Sequence, residues 1–464
     1  MYYRVVFTLL LLAPGLAWSQ TPLLPHLISD SALMVRQVET ADINGDGATD
    51  VVALYQGNLV WFENEDGEGS FGPPLPIWTP PGPDYGSFLV RDVDGDGDAD
   101  VVKHETASQS LFWIENTDGQ GTFGAQHTLI PPSGDDLLLF DLVDLNSDGL
   151  LDVVVFLQFF ETRLVWFEHL ANGSFGPETL LLDPLAWAYE LNTLDVDLDG
   201  DQDLCAVVFD GSNKRLILLK NLDGLGSLSP PMALEILPAM EQSNALLVGL
   251  VNGDAYEDIV FARESDFGTT ALRYYENDSG NGTFLGPEII GNSSHLADAA
   301  LTDLDGDGAM DVDNFVLANY NEATQNYLSW VRNEGGDFSE EIELVSNFDR
   351  PASLATGRIN SDVAVDLVAA FADSIVWFGN GGNLGLESPT IEAVSVYPNP
   401  TQGTLHLHVR IPYSQLEVFN VLGQRVHFSL PTEILDLSPL PSGNYFLKLW
   451  NGTSVLGMVR VVRI

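Results

Sequence analysis

Five stretches of nine residues carry oxygen-bearing side chains at positions 1, 3, 5 and 9 and a glycine at position 6. They comprise Asp42, Asn44, Asp46 and Asp50; Asp92, Asp94, Asp96 and Asp100; Asp144, Asn146, Asp148 and Asp152; Asp195, Asp197, Asp199 and Asp203; and Asp303, Asp305, Asp307 and Asp311. Alternate oxygen ligands on a tight loop can converge on one cation, and glycine supplies the positive φ that wraps the chain. Hard oxygen donors without histidine or cysteine select Ca²⁺ over zinc or copper. Several protein oxygens on a flexible loop also suit Ca²⁺ better than the smaller, octahedral Mg²⁺.

An EF-hand shares positions 1, 3, 5 and 6 but needs a bidentate Glu at position 12. Here that position holds Ala53, Lys103, Val155, Ala206 and Asn314, and a β-rich run follows each loop, so an EF-hand is rejected. Two further loops are degenerate. The fifth has Leu250 at position 1 and Ala255 at position 6, keeping Asn252, Asp254 and Asp258. The seventh has Arg358 and Val363 at those positions, keeping Asn360, Asp362 and Asp366. Loss of a carboxylate and of the turn glycine should abolish binding in the fifth, and the Arg358 guanidinium could replace the ion in the seventh by pairing with Asp362 or Asp366. The expectation is five structural Ca²⁺ ions, each fixing the turn between two strands.

The loops recur because the elements that hold them recur. They begin at residues 42, 92, 144, 195, 250, 303 and 358. A later strand repeats as LVWFEN from Leu59, LFWIEN from Leu111, LVWFEH from Leu164, LILLKN from Leu216, LRYYEN from Leu272, LSWVRN from Leu328 and IVWFGN from Ile375. A Gly-x-Phe turn follows most copies, as at Gly69, Gly121 and Gly173. A period of about 52 residues accommodates four short strands with turns, without a helical pattern between them, which predicts an all-β fold. Seven such units predict a seven-bladed β-propeller, with Pro25–Ile28 adding an edge strand to the last blade and removing an exposed sheet edge.

Charge follows the same division. The 464-residue chain has 67 acidic and 18 basic side chains, a net charge of −49. Residues 1–392 hold 64 of the acidic and 13 of the basic groups, and residues 393–464 hold 3 and 5. Such acidity argues against nucleic-acid or anionic-membrane binding. The single cysteine, Cys205, excludes an internal disulfide framework and a four-thiolate zinc site. A basic start at Arg4, an apolar run from Val5 to Ala13 and small residues at Ala17 and Ser19 predict a signal peptide over residues 1–19. No later segment is apolar enough to span a membrane, so the mature protein is expected to be soluble and exported.

The Asp loops combined with Gly-x-Phe resemble the FG-GAP/VCBS family of secreted β-propellers, which share their calcium loops with the integrin α-subunit head. The resemblance covers about residues 22–390. The tail, about 393–464, resembles the type A sorting domain of the type IX secretion system, on Val396-Tyr-Pro-Asn-Pro-Thr401, Leu416–Val426, Leu437–Leu449 and Val459–Arg463. Alternating apolar strands separated by Pro and Gly turns make this tail a small β-sandwich. The resemblance implies an address read by the outer-membrane export machinery, and a protein secreted or held on the outer face of the outer membrane.

The resemblance further implies partner binding on the face opposite the calcium loops. The residues falling there are Trp78, Tyr85, His104, Phe159, Phe160, Trp187, Tyr189, Phe267 and Tyr320, and exposed aromatics would suit sugars or a protein hot spot. The reading is a non-catalytic binding or adhesion module for a protein or glycan. No HExxH, GxSxG or paired-Cys pattern supports catalysis. A carbohydrate-active enzyme, lyase or hydrolase, with its site in the central channel is the alternative.

Overall fold

The computed structural model describes residues 24–463 except 31–33, 239–241, 265–268, 295, 303, 305–313, 320–325, 335–336, 339–341, 349–350, 363, 373, 381–393, 398–400, 410–413, 421–424, 433 and 452–453. The expected signal peptide and the sixth Asp loop, apart from Leu304, lie outside the described residues. Among the described residues every regular element is a strand, and there is no helix long and apolar enough to cross a membrane. The chain divides into two compact units, one within residues 23–384 and one formed by the strands after 385.

The first unit consists, among the described residues, of seven antiparallel sheets. Blade one runs Gln37–Ala41, Asp50–Tyr55, Asn58–Phe62 and Leu75–Trp78. The same order repeats over residues 88–130, 136–185, 187–237, 242–294 and 296–348, the last with a further two-residue strand, Asp337–Phe338. Blade seven holds Pro351–Gly357, Asp366–Phe371 and Ile375–Gly379, and its outermost strand is Leu24–Ser29 from the other end of the chain. Leu24 pairs with Gly379 and Leu27 with Val376, so the N-terminal strand closes the last blade as the sequence predicts.

The middle strands are apolar on both faces because each blade is covered by two neighbours. Successive strand residues point to opposite faces. Val51, Ala53, Val60 and Phe62 of blade one therefore pack with Val368 and Ile375 of blade seven. Val52, Leu54, Leu59 and Trp61 pack with Phe88, Val101 and Phe112 of blade two. Five further clusters fill the remaining gaps between successive blades, which closes the ring. Cys205 is one of these core residues, fully buried, and burial pushes its thiol pKa upward.

A polar latch accompanies six of the seven apolar gaps. The asparagine ending the third strand reaches the carbonyl of loop position 2 in the preceding blade. Asn64 Nδ2 donates to Ile359 O at 2.7 Å, Asn116 to Ile43 O at 2.7 Å, Asn221 to Leu145 O at 2.8 Å and Asn277 to Val196 O at 2.8 Å. Asn333 donates likewise to Val251 O and Asn380 to Leu304 O. Blade three breaks the ring, because His169 occupies this position, stacks on Phe175 and leaves its buried Nδ1 without a partner. The His169 backbone N–H still donates to Asp152, as the asparagines do to their own loops. His169→Asn is therefore expected to stabilise the fold by about 1 kcal/mol, the net worth of one buried hydrogen bond. A denaturation midpoint that stays put or falls would count against the latch.

The second unit is a sandwich of two sheets. One contains Val394–Tyr397, Thr404–Val409 and Ile434–Asp436, and the other Gln415–Asn420, Arg425–Ser429, Gly443–Asn451 and Ser454–Arg463. Leu405, Leu407, Leu416, Val418, Leu435, Leu447 and Leu449 form their shared core.

Candidate metal centres in the Asp-rich loops

Each described Asp loop joins the first strand of a blade to the second, so these six lie on one face of the propeller. Their shape comes from positive φ at position 6, with Gly47 at 88°, Gly97 at 98°, Gly149 at 88° and Gly200 at 93°. Position 1 caps that glycine: its Oδ2 accepts the Gly47, Gly97, Gly149 and Gly200 N–H groups from Asp42, Asp92, Asp144 and Asp195 at 2.9, 3.0, 2.8 and 3.1 Å. Position 5 is exposed in Asp46, Asp96, Asp148 and Asp199. Its Oδ1 accepts the N–H of position 7, from Ala48 at 2.8 Å, Asp98 at 3.2 Å, Leu150 at 2.9 Å and Asp201 at 3.2 Å.

Position 9 has a role that its pattern alone does not reveal. Asp50, Asp100, Asp152, Asp203, Asp258 and Asp366 are all fully buried. In each, one oxygen accepts the N–H of loop position 2 and the other the N–H ending the third strand. For Asp100 these donors are Val93 at 3.0 Å and Asn116 at 2.8 Å, and for Asp203 they are Val196 at 3.0 Å and Asn221 at 2.6 Å. The clamp persists in the degenerate loops. Asp258 accepts from Val251 at 3.3 Å and Asn277 at 2.7 Å, and Asp366 from Ile359 at 3.0 Å and Asn380 at 2.7 Å. Burial raises the pKa of Asp100 and Asp203 to about 7, with the two N–H bonds opposing it.

Three carboxylates converge in two of the described loops. In loop two, oxygens of Asp92, Asp94 and Asp100 lie within 4.8 Å of one another, and in loop four those of Asp195, Asp197 and Asp203 do the same. A single cation could touch all three in either set. Loops one and three carry Asn44 and Asn146 at position 3, whose Oδ1 atoms accept backbone N–H bonds from Asp46 at 3.1 Å and Asp148 at 3.2 Å. The position-5 carboxylates do not join either group of three.

Loops two and four also hold a carboxylate that positions 1, 3, 5 and 9 omit. Asp98 and Asp201 stand at position 7, where loops one and three have Ala48 and Leu150. Burial, then the neighbouring Asp96, raises the pKa of Asp98 to about 6, and burial with a hydrogen bond to Asp199 does so for Asp201. The buried Oδ1 atoms of Asp98, Asp195, Asp197 and Asp201 have no hydrogen-bond partner. Only two loops carry Asp at position 7, so the repeat pattern concealed it.

The seventh loop departs from expectation. Arg358 is exposed and makes no ion pair with Asp362 or Asp366, whose inner oxygens are taken by backbone N–H groups. On the opposite face, Trp78 and His104 are buried rather than displayed. Trp78 fills the gap between blades one and two, and beside them the buried Lys103 ammonium pairs with Asp84 at 2.6 Å. Tyr85 and Tyr189 are half-buried beneath Arg36 and Lys214. Phe267 and Tyr320 lie outside the described residues. Phe159, Phe160 and Trp187 are exposed at 64%, 87% and 41%. The two phenylalanines pack edge to face at 4.4 Å in the turn between second and third strands. The flanking Gln158 and Thr162 side chains bond Ala186 O, which brings that turn beside Trp187.

Family comparison places FG-GAP-like repeats at residues 42–102, 144–206 and 251–312, and a secretion system C-terminal sorting domain at 395–462. A search of curated proteins returns no match. Among solved structures, a lectin from Agrocybe aegerita that recognises non-reducing terminal N-acetylglucosamine is similar at 18% identity, with a TM-score of 0.52 over 74% of this chain and 87% of that one. The Dos1 propeller matches at 10% identity and TM-score 0.48, over 78% of this chain and 96% of its own. A Lactobacillus plantarum protein matches at 13% and 0.45, over 68% and 85%. The chain is a secreted or cell-surface β-propeller of FG-GAP-like repeats that carries a type IX secretion system sorting domain at its C-terminal end.

Proposed function

We propose that this protein is a calcium-braced propeller that binds glycan on the face opposite its Asp loops, without catalysis. Calcium is supported by the convergence of Asp92, Asp94 and Asp100, and of Asp195, Asp197 and Asp203, and by the buried Oδ1 atoms of Asp98, Asp195, Asp197 and Asp201 that lack partners. These residues would hold the ion with Asp98 and Asp201 close by. Loops one and three, with fewer carboxylates, and loop six by its sequence, are the further candidates. The bound ion supplies charge neutralisation and cross-links the loop to the blade; the chain's own residues supply the oxygen donors and the buried clamp at position 9.

The exposed trio of Phe159, Phe160 and Trp187 is the observation that carries the binding reading. Large aromatics left in water mark interaction sites, and their faces stack on sugar rings. The Agrocybe lectin, which shares the fold, makes glycan the first partner class to test. Display on the outer face of the outer membrane after export would bring that surface to extracellular polysaccharide. The test is retention on a panel of immobilised polysaccharides, with assay for new reducing or unsaturated ends. Retention without products, lost in Phe160→Ala and Trp187→Ala, is expected. Product formation would replace the binder with a carbohydrate-active enzyme, and absence of retention would remove glycan as the partner.

A further inference from the structure

In blades one, three, four and five, the residue just before the latch position on the third strand faces position 3 of its own Asp loop. Glu63 Oε1 accepts Asn44 Nδ2 at 3.2 Å, Glu168 accepts Asn146 at 3.3 Å and Glu276 accepts Asn252 at 3.3 Å. In blade four both members change together: position 3 is Asp197 and the facing residue is Lys220, whose Nζ lies 3.1 Å from Asp197 Oδ2. The sequence continues the rule in blade six, where Asp305 is matched with Arg332. An amide donor thus meets a carboxylate, and a carboxylate meets a cation. Blades two and seven break the rule: Asp94 corresponds to Glu115, which turns instead toward His127 at 3.6 Å, and Asn360 corresponds to Gly379, which has no side chain.

Two further features hold Lys220 in place. Its ammonium also donates to the Asn281 carbonyl of the next blade, and Gly282, at φ +74°, leaves the space its stem crosses. Lysine and aspartate here are 22% and 25% exposed, so their attraction is only partly screened by water.

Resting on the reading that these loops bind a divalent cation, we infer that this third-strand residue sets how strongly each loop does so. Lys220 is a positioning residue and a resident counter-charge. It neutralises part of the loop-four site, weakens cation binding there and keeps Asp197 in place when no ion is bound. Loop two has five aspartates and Glu115 with no resident cation, so it is the tightest site and the one whose shape depends most on the ion.

Calcium titration calorimetry of the full mature chain tests this, with melting in chelator as a second readout. The tightest heat is expected to vanish in Asp92→Asn, assigning it to loop two. Lys220→Met should tighten a weaker site about tenfold, as loss of a positive charge near a doubly charged ion implies, and should lower the melting temperature in chelator. Glu115→Lys should weaken the tightest site by a similar factor, and it carries the test alone if Lys220→Met does not fold. Binding in the parent chain with both variants unchanged overturns this inference and leaves the cation reading intact. Weaker binding in Lys220→Met also overturns it, since Lys220 would then assist the ion. Absence of calcium heat in the parent chain overturns the cation reading itself.

Discussion

Asp258→Ala is expected to lose about 3–5 kcal/mol of stability, equally in calcium and in chelator. The Asp258 side chain is fully buried and serves three donors, the Val251 and Asn277 backbone N–H groups and the Tyr274 hydroxyl at 3.0 Å. Each buried donor left without an acceptor costs about 1–3 kcal/mol. Removing the carboxylate returns part of that loss, because burial raises the Asp258 pKa to about 6 and its ionised form is held at a cost. Loop five lacks a position-1 carboxylate, with Leu250 there, so the effect carries no metal component. Asp100→Ala provides the contrast: it removes the same clamp in blade two and also one of the three converging carboxylates. Its loss should be larger in calcium than in chelator. Denaturant unfolding of both variants in the two buffers checks the pair. Equal calcium responses would mean that position 9 is structural in both loops.

The second large effect is that of calcium itself on the unmodified protein. Sites in extracellular modules bind with dissociation constants of about 0.1–1 mM. At 10 mM calcium, a site at the tight end of that range adds about 2.7 kcal/mol by mass action. Loop four, made about tenfold weaker by Lys220, would add about 1.4 kcal/mol, so the two sites together would add about 4 kcal/mol, and relief of the repulsion among their aspartates is the source. Melting in 10 mM calcium and in excess chelator should therefore differ by several degrees, and magnesium at the same concentration should restore less. Identical melts in all three conditions would exclude a stabilising ion.

Much of this was legible in the sequence because it is local and repeated. The Asp spacing, the glycine at position 6 and the apolar third strands each lie within a few residues, and their recurrence marks the blades. The N-terminal strand was legible because Pro25–Ile28 matches an outer-strand motif that other units supply for themselves. What escaped depends on the neighbouring blade. The latch of Asn64 to Ile359, nearly the whole propeller apart in sequence, is a contact between consecutive units in a closed ring. His169 carries no signal until its six counterparts are known to be latches. Trp78 and His104 sit at strand ends, where sequence does not distinguish packing from display, and the structure buries both. Asp98 and Asp201 were hidden for the opposite reason, since a motif averaged over loops discards what only two of them carry. Arg358 was assigned to its own loop on charge alone, and the buried clamp of Asp366 leaves no inward-facing carboxylate for it to meet.

The most direct measurement is a crystal structure of the mature protein grown in 10 mM calcium, with anomalous data collected where calcium scatters strongly. The account predicts an anomalous peak within about 2.3–2.6 Å of Asp92, Asp94 and Asp100 oxygens, a second beside Asp195 and Asp197 with Lys220 adjacent, and none in loop five or loop seven. Aspartate loops holding only water, or a peak in loop five equal to that in loop two, would contradict it.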